Sequence, residues 1–223
     1  MRTVFLSLSV ALLFACGGSG KDGLSLSSEA SASFEGIKDT YRARNFEEAA
    51  SALDAFLQEN PEHSIGWILL GNSRRELGLS LSAKEAYKKA IAIDPLRFEA
   101  FLGLGVLARR EAAAAAKSGD ELEVKAQLRG AKDYYERALS IEPYHPETLS
   151  SMAMLLLDLN EEEDALRNAE KAWELTKRDA TIAANLAVAY HRNNMTEKRD
   201  ELHGHAERLG YQGLENLARI FAN

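Results

Sequence analysis

Residues 64–97 read SIGWILLGNSRRELGLSLSAKEAYKKAIAIDPLR and contain two apolar segments on either side of Gly78. Several small, aromatic and proline positions recur in the flanking sequence with one fixed spacing. The recurring pairs lie 34 residues apart and are Pro61 and Pro95, Ala49 and Ala83, Trp67 and Phe101, and Gly71 and Gly105. A period of this length predicts stacked helix–turn–helix units rather than one closed core, because each unit buries its apolar face against its neighbours.

Each recurring residue type within residues 64–97 has a packing reason. Gly71 and Ala83 are predicted to be small because the two helices of the unit cross closely at these positions. Ala90 leaves room for the next unit, whereas the ring of Tyr87 fills the space between helices. Pro95 ends the second helix, since proline lacks the amide hydrogen and its ring clashes with the preceding turn.

This unit resembles the tetratricopeptide repeat position by position, with Arg74 in place of the usual tyrosine. The matching residues are Trp67, Leu70, Gly71, Gly78, Ala83, Tyr87, Ala90 and Pro95. The resemblance implies an all-α, right-handed superhelical solenoid of helix–turn–helix repeats whose concave side binds a protein or peptide. Five repeats are predicted, at residues 30–63, 64–97, 98–145, 146–179 and 180–211, the last of them degenerate, with a capping helix at residues 212–223.

The third unit departs from the period, because Pro95 and Pro143 lie 48 residues apart instead of 34. The 14 extra residues equal two heptads, which predicts about seven more residues in each helix. Gly119 is predicted to form the turn and Asp120 to cap the second helix, so that the hairpin projects about 10 Å beyond its neighbours. Two interpretations remain open, a structural elaboration or a prong that docks a partner.

Two further predictions concern the ends of helices. Asn45 followed by Glu48 predicts a capping box at the start of the second helix of the first repeat. The final helix is predicted to cover the last apolar face of the array with Leu214, Leu217, Ile220 and Phe221.

The amino terminus carries a separate signal. Arg2 precedes an apolar run at residues 4–14, which is of signal-peptide length and too short to span a bilayer. Residues 13–16, Leu-Phe-Ala-Cys, resemble a bacterial lipobox, and Cys16 is the only cysteine in the chain. The resemblance implies a signal peptide at residues 1–15, a lipid on Cys16 and a flexible tether at residues 16–29. A secretory signal with an incidental cysteine is the alternative.

The composition narrows the classes of function. With 27 basic and 34 acidic side chains the formal charge is −7, which argues against nucleic acid as the main ligand. The five histidines are scattered, and His203 and His205 point about 200° apart on a helix, so they cannot share a metal. No arrangement of side chains suggests a nucleophile. We therefore expect no enzyme activity, no metal, no small-molecule substrate and no cofactor beyond the covalent lipid.

The resemblance also implies that the first helices of the repeats line a concave groove. The predicted groove residues are Tyr41, Arg42, Ile68, Asn72, Arg75, Leu102, Val106, Arg109, Met154, Leu157, His191 and Arg192. Apolar side chains with several arginines fit a helix or extended peptide that has apolar anchors and some negative charge. The alternative is that the arginines only keep an unoccupied surface hydrated. Asn72 matches one position of the carboxylate clamp of some family members, but Ile68, Gly103, Glu147 and Ser151 occupy the others.

These features together predict a membrane-anchored scaffold that binds an envelope protein or peptide and assists assembly or positioning of an envelope complex. The layout is similar to that of the lipoprotein pilotins of type IV pilus secretins. There are two alternatives. One is an adaptor that regulates a peptidoglycan hydrolase or synthase, and the other is a structural subunit of an outer-membrane assembly or motility machine. Gly17, rather than aspartate, follows Cys16, which favours the periplasmic face of the outer membrane.

Overall fold

A computed structural model describes residues 27–222, and within this range the chain forms eleven α-helices and no strand. The helices are α1 Ser28–Arg42, α2 Phe46–Glu59, α3 Ser64–Glu76, α4 Ser80–Ile93, α5 Phe98–Ser118, α6 Glu121–Ile141, α7 Pro146–Asp158, α8 Glu162–Thr176, α9 Ala180–Arg192, α10 Thr196–Arg208 and α11 Leu214–Phe221. The predicted all-α fold is thus confirmed.

The first ten helices form five hairpins, which we number repeats 1 to 5, and α11 packs against α9. Each second helix contacts the first helix of its own repeat and the first helix of the following one. The first helices also contact one another in order, α1 with α3, α3 with α5, α5 with α7 and α7 with α9. The first helices therefore lie on the inner, concave side of the array.

One residue in each turn between paired helices has a left-handed backbone conformation. These residues are Arg44, Gly78, Gly119, Asn160 and Asn194, with φ between 58° and 78°. A single left-handed residue reverses the chain within a short turn, which brings the second helix back against the first. Glycine adopts this conformation at no steric cost, and asparagine tolerates it better than most residues do.

Tyrosine rings fill the space above glycines in repeats 2 and 3. A Cβ atom built on Gly71 would lie 2.6 Å from the Cε1 atom of Tyr87, and one on Gly105 would lie 2.4 Å from the Cε1 atom of Tyr135. Tyr87 also covers Gly103 of the next repeat, at 2.4 Å from its ring to a built Cβ. The predicted close crossing at Gly71 is present, and the group that requires it is the tyrosine ring.

The extended hairpin of repeat 3 is confirmed. Helices α5 and α6 have 21 residues each, whereas the helices of the other four repeats have 13 to 15. Gly119 ends α5 in the left-handed conformation, and the Asp120 carboxylate accepts a hydrogen bond from the Glu123 amide at 3.0 Å. Ala112, Ala115 and Leu128 are buried in the added part of the hairpin.

One prediction about helix ends is wrong, and another holds in part. Asn45 makes no side-chain capping hydrogen bond, and its ψ of 67° lies away from the extended conformation that aims a capping side chain at the helix. The final helix α11 packs on the core through the buried Leu217 and the half-buried Leu214 and Phe221, as predicted. Ile220 is the exception, because it is 40% exposed and lies largely off the covered face.

Residues 27–222 contain neither a candidate membrane span nor a candidate metal site. None of the helices there is long and apolar enough to cross a membrane. The same residues contain no group of three or more histidine, cysteine or acidic side chains placed to hold a metal ion. The predicted signal peptide and Cys16 lie outside the described residues.

Candidate partner-binding surface

Arginine side chains connect repeats 2 and 3 across the concave side. The Arg75 guanidinium pairs with the Glu76 carboxylate at 2.9 Å, and the Arg75 side chain is only 18% exposed. Arg110 donates a hydrogen bond to the Arg75 carbonyl oxygen at 3.1 Å and lies 3.9 Å from the same Glu76 carboxylate. Helix α5 is thereby fixed to the end of α3 by charged groups at the inner surface.

Asn72 and Tyr41 extend this polar region toward repeat 1. The Tyr87 hydroxyl donates a hydrogen bond to the Asn72 Oδ1 atom at 2.7 Å. Burial raises the pKa of the Tyr87 hydroxyl, although the nearby Arg75 cation opposes the shift. Burial also raises the pKa of the Tyr41 hydroxyl, again with Arg75 opposing. Both phenols stay neutral near pH 7 and present hydroxyl groups, not charges, beside Arg75.

Arg109 carries the polar region on to repeat 4. Its Nε atom lies 2.5 Å from the Asp158 carboxylate at the end of α7, and the two side chains are 34% and 39% exposed. Burial raises the pKa of the Tyr135 hydroxyl to about 12, while Arg109 and a hydrogen bond with Ser151 act in the opposite direction. Arg109, Tyr135, Ser151 and Asp158 therefore form one polar group between α5, α6 and α7.

The predicted residues of repeat 5 lie apart from this group. Arg192 binds the Glu162 carboxylate at 2.8 Å and the Asn160 side-chain oxygen at 3.1 Å, which ties α9 to the start of α8. The His191 ring lies 5.2 Å from the ring of Phe221 in α11. At the other end, Arg42 is largely exposed and pairs with Asp39 on its own helix.

The apolar groove residues divide into two classes. Leu102, Val106 and Met154 are half-buried, so part of each side chain is available at the inner surface. Ile68 and Leu157 are only 6% and 3% exposed and belong to the hydrophobic core rather than to the groove surface. The reason is the close approach of successive first helices, which covers side chains that point along the array instead of into the groove.

Sequence reasoning missed a cleft formed by the extended hairpin, which we call the hairpin cleft. It has a volume of about 700 Å³ and lies where α5, α6 and α7 meet. Val124 and Leu128 contribute to it from α6, although only first helices were expected to provide partner-binding residues. The signal in the sequence was the 14-residue insertion, since a longer hairpin extends past the end of α7.

Comparisons with known proteins agree with this architecture. The sequence model of the family described as Tetratricopeptide repeat matches residues 66–95. A tetratricopeptide-repeat protein of Thermus thermophilus superposes with a TM-score of 0.73 at 18% identity, covering 86% of this chain and 97% of that one. The fold is a tetratricopeptide-repeat solenoid.

Two further solenoids of known structure are similar. Pseudomonas aeruginosa pilF has a TM-score of 0.65 at 16% identity, with 86% of this chain and 84% of pilF covered. The YrrB protein, described as a TPR protein with an unusual peptide-binding site, has a TM-score of 0.52 at 19% identity, with 82% and 88% covered. At these identities the similarity concerns the fold alone.

Among curated proteins, Peroxisome biogenesis protein 5 of Arabidopsis thaliana is 38% identical over 69 residues. The match covers 31% of this chain and 10% of that protein. The match to this chain therefore spans only about a tenth of the length of that relative. The solenoid fold itself indicates a scaffold for protein–protein interaction.

Proposed function

We propose that the protein is a membrane-anchored scaffold that binds a partner protein or peptide on its concave surface. Through this contact it assists the assembly or positioning of a cell-envelope complex, as pilotins of type IV pilus secretins do. The observation that supports this most directly is the row of Tyr41, Asn72, Arg75 and Arg109 on the inner surface of repeats 1 to 3. It offers hydrogen-bonding groups and arginine side chains along three consecutive repeats.

The chemistry of the surface favours a peptide-like partner. Half-buried Leu102 and Val106 lie on α5 with Arg109, half-buried Met154 lies on the neighbouring α7, and all three provide apolar contact area. Arginine side chains bind carboxylates with two parallel hydrogen bonds, which fixes orientation as well as affinity. A helix or extended segment with apolar anchors and acidic side chains fits both features.

The membrane anchor is the second part of the proposal. A diacylglyceryl thioether on Cys16, with a further acyl chain, provides the two or more chains that stable anchoring needs. Residues 17–26, GGSGKDGLSL, separate that cysteine from Ser27, whose side chain caps α1. We propose the periplasmic face of the outer membrane as its location, with no cofactor besides the lipid and no catalytic activity.

Site-specific photo-crosslinking in the producing bacterium tests the groove. A photoreactive amino acid is placed at Met154 on α7, and a control is placed at the exposed Lys88 on α4. We expect a partner to cross-link from Met154 but not from Lys88. A secretin subunit identified by mass spectrometry supports the pilotin-like role. A peptidoglycan hydrolase or synthase supports the alternative adaptor, and cross-links from Lys88 alone contradict binding on the concave side.

Charge reversal tests the arginine row. The double variant Arg75→Glu, Arg109→Glu is expected to reduce the cross-linked yield from Met154 by about tenfold or more, because charge-assisted hydrogen bonds to the partner are lost. Helical content measured by circular dichroism serves as the control for folding. An unchanged yield with an intact fold places the partner elsewhere.

Labelling with radioactive palmitate tests the anchor separately. The wild-type protein is expected to incorporate label and to fractionate with the outer membrane, whereas Cys16→Ser removes the label and releases the protein. Label on the Cys16→Ser variant contradicts lipidation at this residue. The result is independent of whether the groove binds a partner.

A further inference from the structure

The added length of α5 and α6 changes the inner surface at one place. The hairpin extends past the end of α7, and its added turns form a wall of the hairpin cleft. Val106 and Val124 face the cleft from α5 and α6, while Ser151 and Asp158 face it from α7. The volume of about 700 Å³ lies within the range of about 300–1,000 Å³ that is common for ligand pockets.

The wall toward solvent is made of small side chains. Ala113 and Ala116 line the cleft and are exposed, and they belong to the run of five alanines at residues 112–116. A methyl group is short, so the main chain of a partner can approach the α5 helix closely here. Val106 and Val124 are half-buried and supply apolar area on either side of the alanines.

The charge of the cleft is opposite to that of the protein. The charged side chains that line it are Arg109, Arg110 and Asp158, which sum to one positive charge, whereas the whole chain carries −7. Arg110 remains 54% exposed, donates a hydrogen bond to the neutral carbonyl of Arg75 and lies 3.9 Å from the Glu76 carboxylate, which Arg75 binds more closely at 2.9 Å. The cleft is therefore complementary to a negatively charged group.

The position of the Asp158 carboxylate indicates where a negatively charged group of a partner fits. Its carboxylate contacts the Nε atom of Arg109 at the rim of the cleft, and both side chains are about one-third exposed. An ion pair this accessible to water contributes little to stability. A carboxylate from a partner can therefore replace Asp158 at Arg109.

The geometry points to the hairpin cleft as the site that receives an acidic side chain of the partner, carried on a segment with small apolar residues next to it. The inference deepens the proposed scaffold function and rests on it, because it names the chemistry of the bound segment. The cleft shares one position, Ser151, with the carboxylate clamp of some tetratricopeptide-repeat proteins, but it is lined in addition by α6 and by the added turns of repeat 3.

Selection from a library of short random peptides displayed on phage, with the purified full-length protein as the target, supplies the probe. We expect the selected peptides to contain an aspartate or glutamate flanked by alanine, valine or leucine. Each is then synthesised with the acidic residue or with its amide, and amidation is expected to weaken binding about tenfold or more. Selected peptides without an acidic residue overturn the inference.

Two variants of opposite effect locate the bound carboxylate. Arg109→Gln is expected to weaken binding of the acidic peptide about tenfold, whereas Asp158→Asn is expected to strengthen it several-fold by freeing Arg109. The matched control is Asp54→Asn, which removes the carboxylate of the Arg74–Asp54 pair outside the cleft and is expected to leave affinity unchanged. Affinity that is indifferent to both Arg109→Gln and Asp158→Asn overturns the inference.

Shortening the hairpin separates this inference from the proposed function. Deleting residues 112–118 and 121–127 retains the Gly119–Asp120 turn and returns both helices to the length of the other repeats. The shortened protein is expected to lose the acidic peptide but to keep the partner cross-link from Met154. Peptide binding that survives in a folded, shortened protein overturns the role of the cleft. If the wild-type protein forms no cross-link from Met154, by contrast, this result contradicts the scaffold function itself.

Discussion

Repeats 2 and 3 fill the space between their two helices with a tyrosine ring above a glycine, whereas repeats 4 and 5 do not. Tyr87 covers Gly71, and Tyr135 covers Gly105. The corresponding pairs are Ala153 with Ala169 in repeat 4 and Ala187 with His203 in repeat 5. In the last two repeats the first helices instead bury Leu155, Leu156, Leu157 and Leu186 in the core.

The difference shows that one backbone arrangement admits two ways of filling the same volume. A ring above a glycine leaves no space for a Cβ atom, so the two residues depend on each other. Alanine above alanine is less specific, and neighbouring leucines adjust to it. The middle of the array, which carries Arg75 and Arg109, is thus the part whose helix spacing is most tightly set by single residues.

The largest expected effect comes from removing the ring. Tyr87→Ala leaves a cavity above both Gly71 and Gly103 and is expected to destabilise the protein by about 3–5 kcal/mol. Urea unfolding followed by circular dichroism measures the change. Tyr144→Ala, which removes a ring that is 62% exposed, is the control and should cost far less. Equal losses in the two variants contradict the role assigned to Tyr87.

Adding a methyl group under the second ring is expected to have the next largest effect. Gly105→Ala places a Cβ atom against Tyr135 and should destabilise by about 1–3 kcal/mol through overpacking. Gly130→Ala on the same hairpin meets no atom within 4 Å and should stabilise by up to about 1 kcal/mol, since alanine favours the helix. Equal shifts in melting temperature for Gly105→Ala and Gly130→Ala contradict the requirement for glycine under the Tyr135 ring.

Alkaline pH tests the burial of the Tyr135 hydroxyl. Its pKa is raised by burial to about 12 in the folded protein, against 10.0 for a free tyrosine. The unfolded chain releases this proton first, so stability present below pH 10 is lost as the pH rises toward 12, by up to about 2 kcal/mol. Unfolding in urea at increasing pH measures the slope, and Tyr135→Phe, which cannot ionise, should reduce it. An unchanged slope in the variant contradicts this assignment.

The smallest effect is expected in repeat 4, where Ala153 takes the place of the glycine and no tyrosine ring lies above it. Ala153 is fully buried, and Ala153→Gly should cost about 1 kcal/mol through lost helix propensity and a lost methyl contact. Glycine is thus expected to be required at position 105 and to be unfavourable at position 153. Melting temperatures of the single variants check this, and a stabilised Ala153→Gly variant contradicts the distinction between the two halves.

Much of the fold could be predicted because its causes are local. The 34-residue spacing of Gly71 and Gly105, and the 48-residue spacing of Pro95 and Pro143, indicated the repeats and the longer hairpin. The predicted capping box at Asn45 is absent, since the backbone of Asn45 does not adopt the extended conformation of a capping residue. Ile68 and Leu157 were placed in the groove by repeat position, but the neighbouring first helices cover them.

The sequence by itself determined the class of fold, the number of repeats and the turn at Gly119, because periodicity and turn residues act within one repeat. It also indicated Arg75 and Arg109 as inner-surface residues. Only the tertiary structure decided that Arg109 meets Asp158, 49 residues away, and that Tyr135 and Ser151 lie beside them. These contacts join three helices from two repeats, and their formation depends on how one repeat stacks on the next, which no local pattern encodes.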